Sequence, residues 1–283
     1  MKRNIFLFVL MLFCLTACEK DPGTVGPDDA NLVVNVWQLQ NEPFPSRMTR
    51  TDLSQFSRLN YAVYDTAGNR IRQVNQKAGD ESYGTAYFKV PAGKYQVVVV
   101  CHSSNGNPTM TNPAKIQFKN DQGFTDTFES NDSVELEEDT KTTVNAKPHR
   151  IVSLCRFVIT DAIPEDVAKM RFQYKGGSGA FDASTGLGTV NSTQTEFFDV
   201  EPGKTQSTFD LYTFLHAQEE TIHLQATAYD AKNNIVNDQE FDIPMKRRTI
   251  TKLSGPYFAS TGAQIIVIID IDDDWEGEDV ITY

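Results

Sequence analysis

The chain has 283 residues, 26 of them Lys or Arg against 38 Asp or Glu, for a formal net charge of −12. That length leaves room for about two domains with cores of their own, and 40% apolar with 23% charged residues is the make-up of an ordinary folded protein. The acidity argues against an extended phosphate-binding surface, which would gather Lys and Arg, so nucleic acid is not an expected partner.

Residues 1–17 read as a secretory signal peptide. Lys2 and Arg3 precede an unbroken apolar run from Ile5 to Leu15. Such a run covers about 16 Å as a helix, against the roughly 30 Å of a bilayer core, so it does not span. It ends in Leu15-Thr16-Ala17-Cys18, which matches the bacterial lipobox. Leu15, Thr16 and Ala17 would be the peptidase recognition residues, and Cys18 the lipidated first residue of the mature protein. Each buried CH₂ of an acyl chain contributes about 0.8 kcal/mol, so several chains make a durable anchor. Cleavage removes Lys2 and Arg3 and no acid, so 24 basic residues then face 38 acidic ones and the charge becomes −14. Acyl chains, not charge, would hold such a body to a membrane.

Residues 18–30 follow as a lipidated tether of Pro, Gly and acid that cannot bury a core. Beyond it come short β-branched or aromatic runs bounded by turn residues: 32–37, 59–64, 86–90 and 95–100. The pattern restarts with runs at 151–159, 170–174, 196–200, 208–214, 221–229, 240–243, 249–253 and 265–271. Short helices are expected only at Arg50 to Phe56 and Pro164 to Lys169. The fold class is therefore all-β, two tandem β-sandwich domains at 31–148 and 149–283. Two elements recur between the halves. Tyr64-Asp65 with Asn69 echoes Tyr229-Asp230 with Asn234, and Phe88-x-Val90-Pro-Ala-Gly93-Lys94 echoes Phe198-x-Val200-Glu-Pro-Gly203-Lys204. They occur in opposite orders, so they do not by themselves establish a duplication.

Motifs for chemistry fail on spacing. Gly203-Lys204-Thr205 lacks the glycine a P-loop needs five residues earlier, where Phe198 stands, and no G-x-S-x-G or H-E-x-x-H occurs. His216, Glu220 and His223 could converge on a metal only if they shared a helical face, and that segment reads as a turn after a strand. Asp272 to Gly277 imitates the start of a calcium loop, but position twelve is Tyr283 where a bidentate Glu is required. No metal, cofactor or enzymatic activity is expected. With Cys14 removed and Cys18 lipidated, Cys101 and Cys155 remain, each in an apolar run and each expected to be a small buried hydrophobe.

Ile265 to Ile269 is apolar on both faces of a strand, and such a strand must be covered on both sides, inside its own sandwich or in a partner's groove.

Taken in order, the lipobox, the tether, the strand carrying Trp37, Leu59-x-Tyr61-x-Val63-Tyr64-Asp65 with its hairpin turn, Pro91-Ala92-Gly93-Lys94-Tyr95, the restart at His149-Arg150-Ile151-Val152, and the closing apolar strand with Trp275 resemble the FimB/Mfa2 family of Bacteroidota fimbrial lipoproteins. So does Pro244-Met245-Lys246-Arg247-Arg248 with Thr251, Leu253 and Gly255. The resemblance implies two transthyretin-like sandwiches of about seven strands each. It also implies a non-enzymatic, lipid-anchored base subunit in the outer membrane, exposed at the cell surface and joined to a fimbrial shaft subunit by strand exchange. Shaft subunits of such type V pili lose an N-terminal strand to an Arg-specific protease, whereas an anchor keeps its own. Carried onto this chain, Leu32, Val34 and Val36 would close the groove, and Ile265, Val267, Ile269 and Ile271 would lie on the donor strand. Arg47 and Arg50 stand where a shaft subunit would be cut. The alternative is a surface lipoprotein binding a glycan or other ligand through sandwich loops, with Trp37, Tyr83 and Tyr87 as aromatic platforms.

Overall fold

The computed structural model describes residues 25–36, 39 and 53–259, and the backbone of 266–270. The first half supplies β1 (Leu32–Val36), β2 (Arg58–Asp65), β3 (Arg70–Lys77), β4 (Thr85–Phe88), β5 (Gly93–His102), β6 (Thr109–Asn112), β7 (Lys115–Gln117), β8 (Phe128–Leu136) and β9 (Thr142–Ala146). The second half supplies β10 (His149–Arg150), β11 (Ser153–Ala162), β12 (Lys169–Lys175), β13 (Ala180–Phe181), β14 (Gln194–Asp199), β15 (Thr205–Thr213), β16 (Glu219–Tyr229), β17 (Ile235–Lys246), β18 (Ile250–Gly255) and β19 (Ile266–Asp270). The protein is all-β, in tandem sandwiches. The helices expected at Arg50 to Phe56 and Pro164 to Lys169 are not formed in the described residues. Phe56 N–H bonds Leu53 O and Val167 N–H bonds Pro164 O as single turns, and Lys169 already begins β12. One turn of 3₁₀ helix at Asn120–Gln122 is the helical element of the described chain.

One sandwich packs the sheet β4-β1-β9 against β10-β8-β5-β2-β3, and the other packs β15-β11-β18-β19 against β14-β12-β16-β17. Strand by strand the two are the same object. β1 pairs antiparallel with β4 and parallel with β9, as β11 does with β15 and β18. The antiparallel pairs β2–β3, β2–β5 and β5–β8 are matched by β12–β14, β12–β16 and β16–β17. The recurring sequence elements do not follow this equivalence. The Asp65 turn joins β2 to β3, whereas the Asp230 turn joins β16 to β17, which correspond to β5 and β8. Both turns solve one local problem in one way. Asp65 Oδ1 accepts from the N–H groups of Ala67 and Asn69, and Asp230 Oδ1 from those of Lys232 and Asn234. The left-handed position between them is Gly68 at φ 82° and Asn233 at φ 65°, the two residue types that tolerate it.

Three apolar clusters fill the molecule. Leu32, Val34, Tyr61, Val97, Val99 and Phe128 lie between the first pair of sheets, and Phe157, Phe172, Phe209, Leu224 and Ile243 between the second. The third joins residues from both halves, with Ala62, Tyr64, Val98 and Val100 meeting Leu154, Phe181, Phe214 and Ile250. Odd-numbered positions of β5 thus face their own sandwich and even-numbered ones the other half, which is why Val97 to Val100 is apolar without alternation. A small sheet, β13-β7-β6, and Asn131 Nδ2 donating to Ala183 O at 2.9 Å add polar ties across the junction.

Candidate functional site

Two terminal strands position the groove chemistry. β1 is the central strand of its sheet, with Leu32, Val33 and Val34 opposite Phe88, Tyr87 and Ala86 on one side and Thr142, Thr143 and Val144 on the other. Leu32 and Val34 have no exposed surface and Val36 has 9%. Burying each such side chain stabilises by about 1.5–3 kcal/mol. Asn31 fixes the entry of the strand, its Nδ2 donating to Val90 O at 2.7 Å and its Oδ1 accepting from Val90 N–H at 3.0 Å. Asn35 links all three strands, accepting from Thr85 Oγ1 at 3.0 Å and donating to Asn145 Oδ1 at 3.2 Å. Loss of β1 would leave two rows of main-chain groups without partners and open an apolar groove between β4 and β9.

At the other end the chain is held just past β18. The Asp161 carboxylate accepts from the N–H groups of Tyr257, Phe258 and Ala259 at 2.8, 2.7 and 2.8 Å. Tyr257 is buried, and its hydroxyl donates to Ala226 O at 2.6 Å. Beyond this clamp β19 pairs antiparallel along the outer edge of β18, Val267 opposite Leu253 and Ile269 opposite Thr251. β9 corresponds to β18 and, among the described residues, carries no such added strand in its sheet. β19 is therefore the strand by which the second sandwich exceeds the pattern of the first.

Leu15, Thr16, Ala17, Cys18, Trp37, Arg47, Arg50, Ile265, Ile271 and the acidic run at 272–277 lie outside the described residues. His216 and Glu220 do meet, Nδ1 to Oε1 at 3.1 Å, but His223 turns away to Asp242, Nδ1 to Oδ1 at 2.5 Å. Tyr83 is no platform: it packs on the first core and its hydroxyl donates to Phe56 O at 2.6 Å. Tyr87 is half-buried. Cys101 and Cys155 are free and buried in different cores. Burial pushes the Cys155 thiol up to about 12 and the Cys101 thiol further, so neither is a ready nucleophile.

Two carboxyls escaped the sequence reading. Glu196 accepts from the Tyr174 hydroxyl at 2.6 Å, and burial pushes it up to about 7 against the lowering effect of that bond. Glu129, 1% exposed on β8, is pushed up to about 8, first by burial and then by the Asp132 and Asp182 carboxylates. Both sit in polar stretches, QTEFFD and FESNDSVEL, where an alternating sequence gives no sign of which acids turn inward.

Tandem sandwiches of one strand order, joined by a shared apolar junction and extended by a C-terminal edge strand, define the class of this protein. Within that class the chain belongs to the DUF6562 family of unknown function, whose model matches residues 25–283. No curated protein matches it. Among solved structures it is similar to the fimbrial anchor protein Mfa2 from Porphyromonas gingivalis, with a TM-score of 0.50 and 13% identity over 89% of this chain and 99% of that one. It is also similar to a DUF1812 protein from Bacteroides thetaiotaomicron assigned to polysaccharide binding (0.51, 10%, 88% and 98%). A third is a Bacteroides ovatus protein assigned to cell adhesion (0.50, 13%, 88% and 98%). At these identities the likeness is one of fold, and Mfa2 brings the FimB/Mfa2 resemblance of the sequence together with the architecture.

Proposed function

We propose that the chain is a non-enzymatic fimbrial or adhesion subunit. More narrowly, it is the lipid-anchored base that joins a pilus shaft to the outer membrane. In this reading residues 1–17 are the signal, Cys18 carries the lipid, 18–30 are the tether, and 31–148 and 149–283 are the two sandwich domains. Leu32, Val34 and Val36 keep the first groove closed, and the strand from Ile265 to Ile271 is offered to the last shaft subunit. The observation that carries the reading is β19, a strand outside the repeated topology, at the edge of its sheet and following a clamp at Asp161. Giving up five intramolecular pairs for an intermolecular ladder is an exchange of like for like in main-chain hydrogen bonds, with buried side chains deciding the balance. The fold shared with a protein named as a fimbrial anchor supports the same role.

The test is deletion of residues 264–283 in fimbriated cells. The expected result is a truncated protein that still fractionates with the outer membrane while fimbriae detach into the medium. Unaltered, cell-bound fimbriae would sink the strand-exchange reading.

A further inference from the structure

Where the two sandwiches meet, an open cleft of about 590 Å³ runs beside the edge of β8. Its walls include Glu129 and Asp132 from β8, Lys147 and His149 from the crossover between the halves, and Ser184 and Arg248 from the second half. The floor is unusual. Glu129 is 1% exposed, yet its Oε1 has no hydrogen-bond partner. An oxygen without a partner on a side chain buried this deeply is costly to leave unmet and marks a wall built to receive a polar ligand group.

We propose that this cleft is a binding site for a neutral saccharide. The lining selects against the other ligand classes. An apolar ligand or a hydrophobic peptide side chain finds only Ala183 and no Phe, Tyr or Trp ring. A polyanion meets Glu129 and Asp132 on a strongly acidic protein, and a polycation meets Lys147 and Arg248. Among the described residues no three His, Cys, Asp or Glu side chains are placed to hold a metal ion. Vicinal hydroxyls suit such a wall, because each donates to a carboxylate and accepts from an ammonium, guanidinium or hydroxyl. The raised Glu129 carboxyl holds its proton near neutral pH and so meets a hydroxyl without an unpaired charge. The site lies away from β19 and does not depend on the strand-exchange reading.

Saturation-transfer NMR tests it on the full chain in a sugar-free zwitterionic detergent, with neutral trisaccharides of glucose, galactose, mannose and N-acetylglucosamine as probes. At least one should bind saturably. Glu129→Met, which removes the buried carboxyl at similar volume, and Ser184→Trp, which fills the exposed rim without touching a core, should each weaken that binding roughly tenfold or more. If no trisaccharide binds, or if binding is the same in both variants, the cleft holds water only and the proposal falls.

Discussion

Replacing Glu129 with Gln isolates one buried proton and gives it a measurable consequence. Burial, with Asp132 and Asp182 behind it, raises the Glu129 carboxyl from its ordinary 4.5 to about 8, against the opposing pull of Arg247 and Arg248. Between those two values the folded protein keeps a proton that the unfolded chain has released. The folded state then binds more protons than the unfolded one, so stability falls as pH rises from about 4.5 to about 8 and levels off above. Below about 4.5 both states are protonated and the residue adds no slope. At about 1.4 kcal/mol per pH unit the displacement corresponds to an upper figure of about 5 kcal/mol, and water entering the cleft reduces this to about 3 kcal/mol. Glu129→Gln keeps the shape and has nothing to titrate, so the wild type should lose about 3 kcal/mol more than the variant between pH 5 and pH 8. Glu196, raised to about 7, adds its own slope to both proteins and cancels in the difference. Guanidinium unfolding of the full chain in detergent, followed by circular dichroism at several pH values, measures it. Parallel pH profiles for the two proteins would refute the reasoning.

Two further substitutions probe the terminal strands. Leu32→Ala removes a fully buried side chain from the centre of the first sandwich and should cost about 2–5 kcal/mol in chemical denaturation; a loss under about 1 kcal/mol would mean that β1 is not integral to that core. Asp161→Ala strips the acceptor from three N–H groups and should cost about 2 kcal/mol. Hydrogen exchange should then show Tyr257 to Ala259 unprotected while β18 stays protected, and protection lost equally through β18 would contradict a local clamp.

How much of this could be read from the chain depended on which way a strand faces. Val97 to Val100 and Leu59 to Tyr64 were legible because both faces are buried, so the sequence is apolar apart from Asn60. What covers the second face was not legible, since the junction cluster joins Tyr64 and Val100 to Phe181 and Phe214 in the other half of the chain. β3, RIRQVNQK, and β8, FESNDSVEL, were missed as strands because each meets solvent along much of its length. β17 was read as four residues at 240–243 but runs from Ile235 to Lys246, because the Asn, Asp, Gln and Glu of its first half carry no apolar stripe until Phe241. The candidate site was legible in part. The residues of β1 and the pairing segment of β19 stood out as apolar runs, whereas the unmet oxygen of Glu129 lines a cleft to which both halves contribute.

The recurring motifs misdirected for a related reason. An Asp with an Asn four residues on is a solution to a tight strand-to-strand turn, available wherever such a turn occurs, and here it serves two loops that are not equivalent in the repeat. The strands that are equivalent share little: β1 is LVVNV and β11 is SLCRFVITDA, β2 is RLNYAVYD and β12 is KMRFQYK. What they share is ladder order, a property of long-range pairing that local composition does not encode. Setting the two ladders side by side pairs every strand of one sandwich with a strand of the other, apart from the two-residue β10, the short junction strands and β19. The junction strands are accounted for by the contact between the halves. That leaves the C-terminal strand as the element without a counterpart in the first sandwich, held there by its five antiparallel pairs along β18.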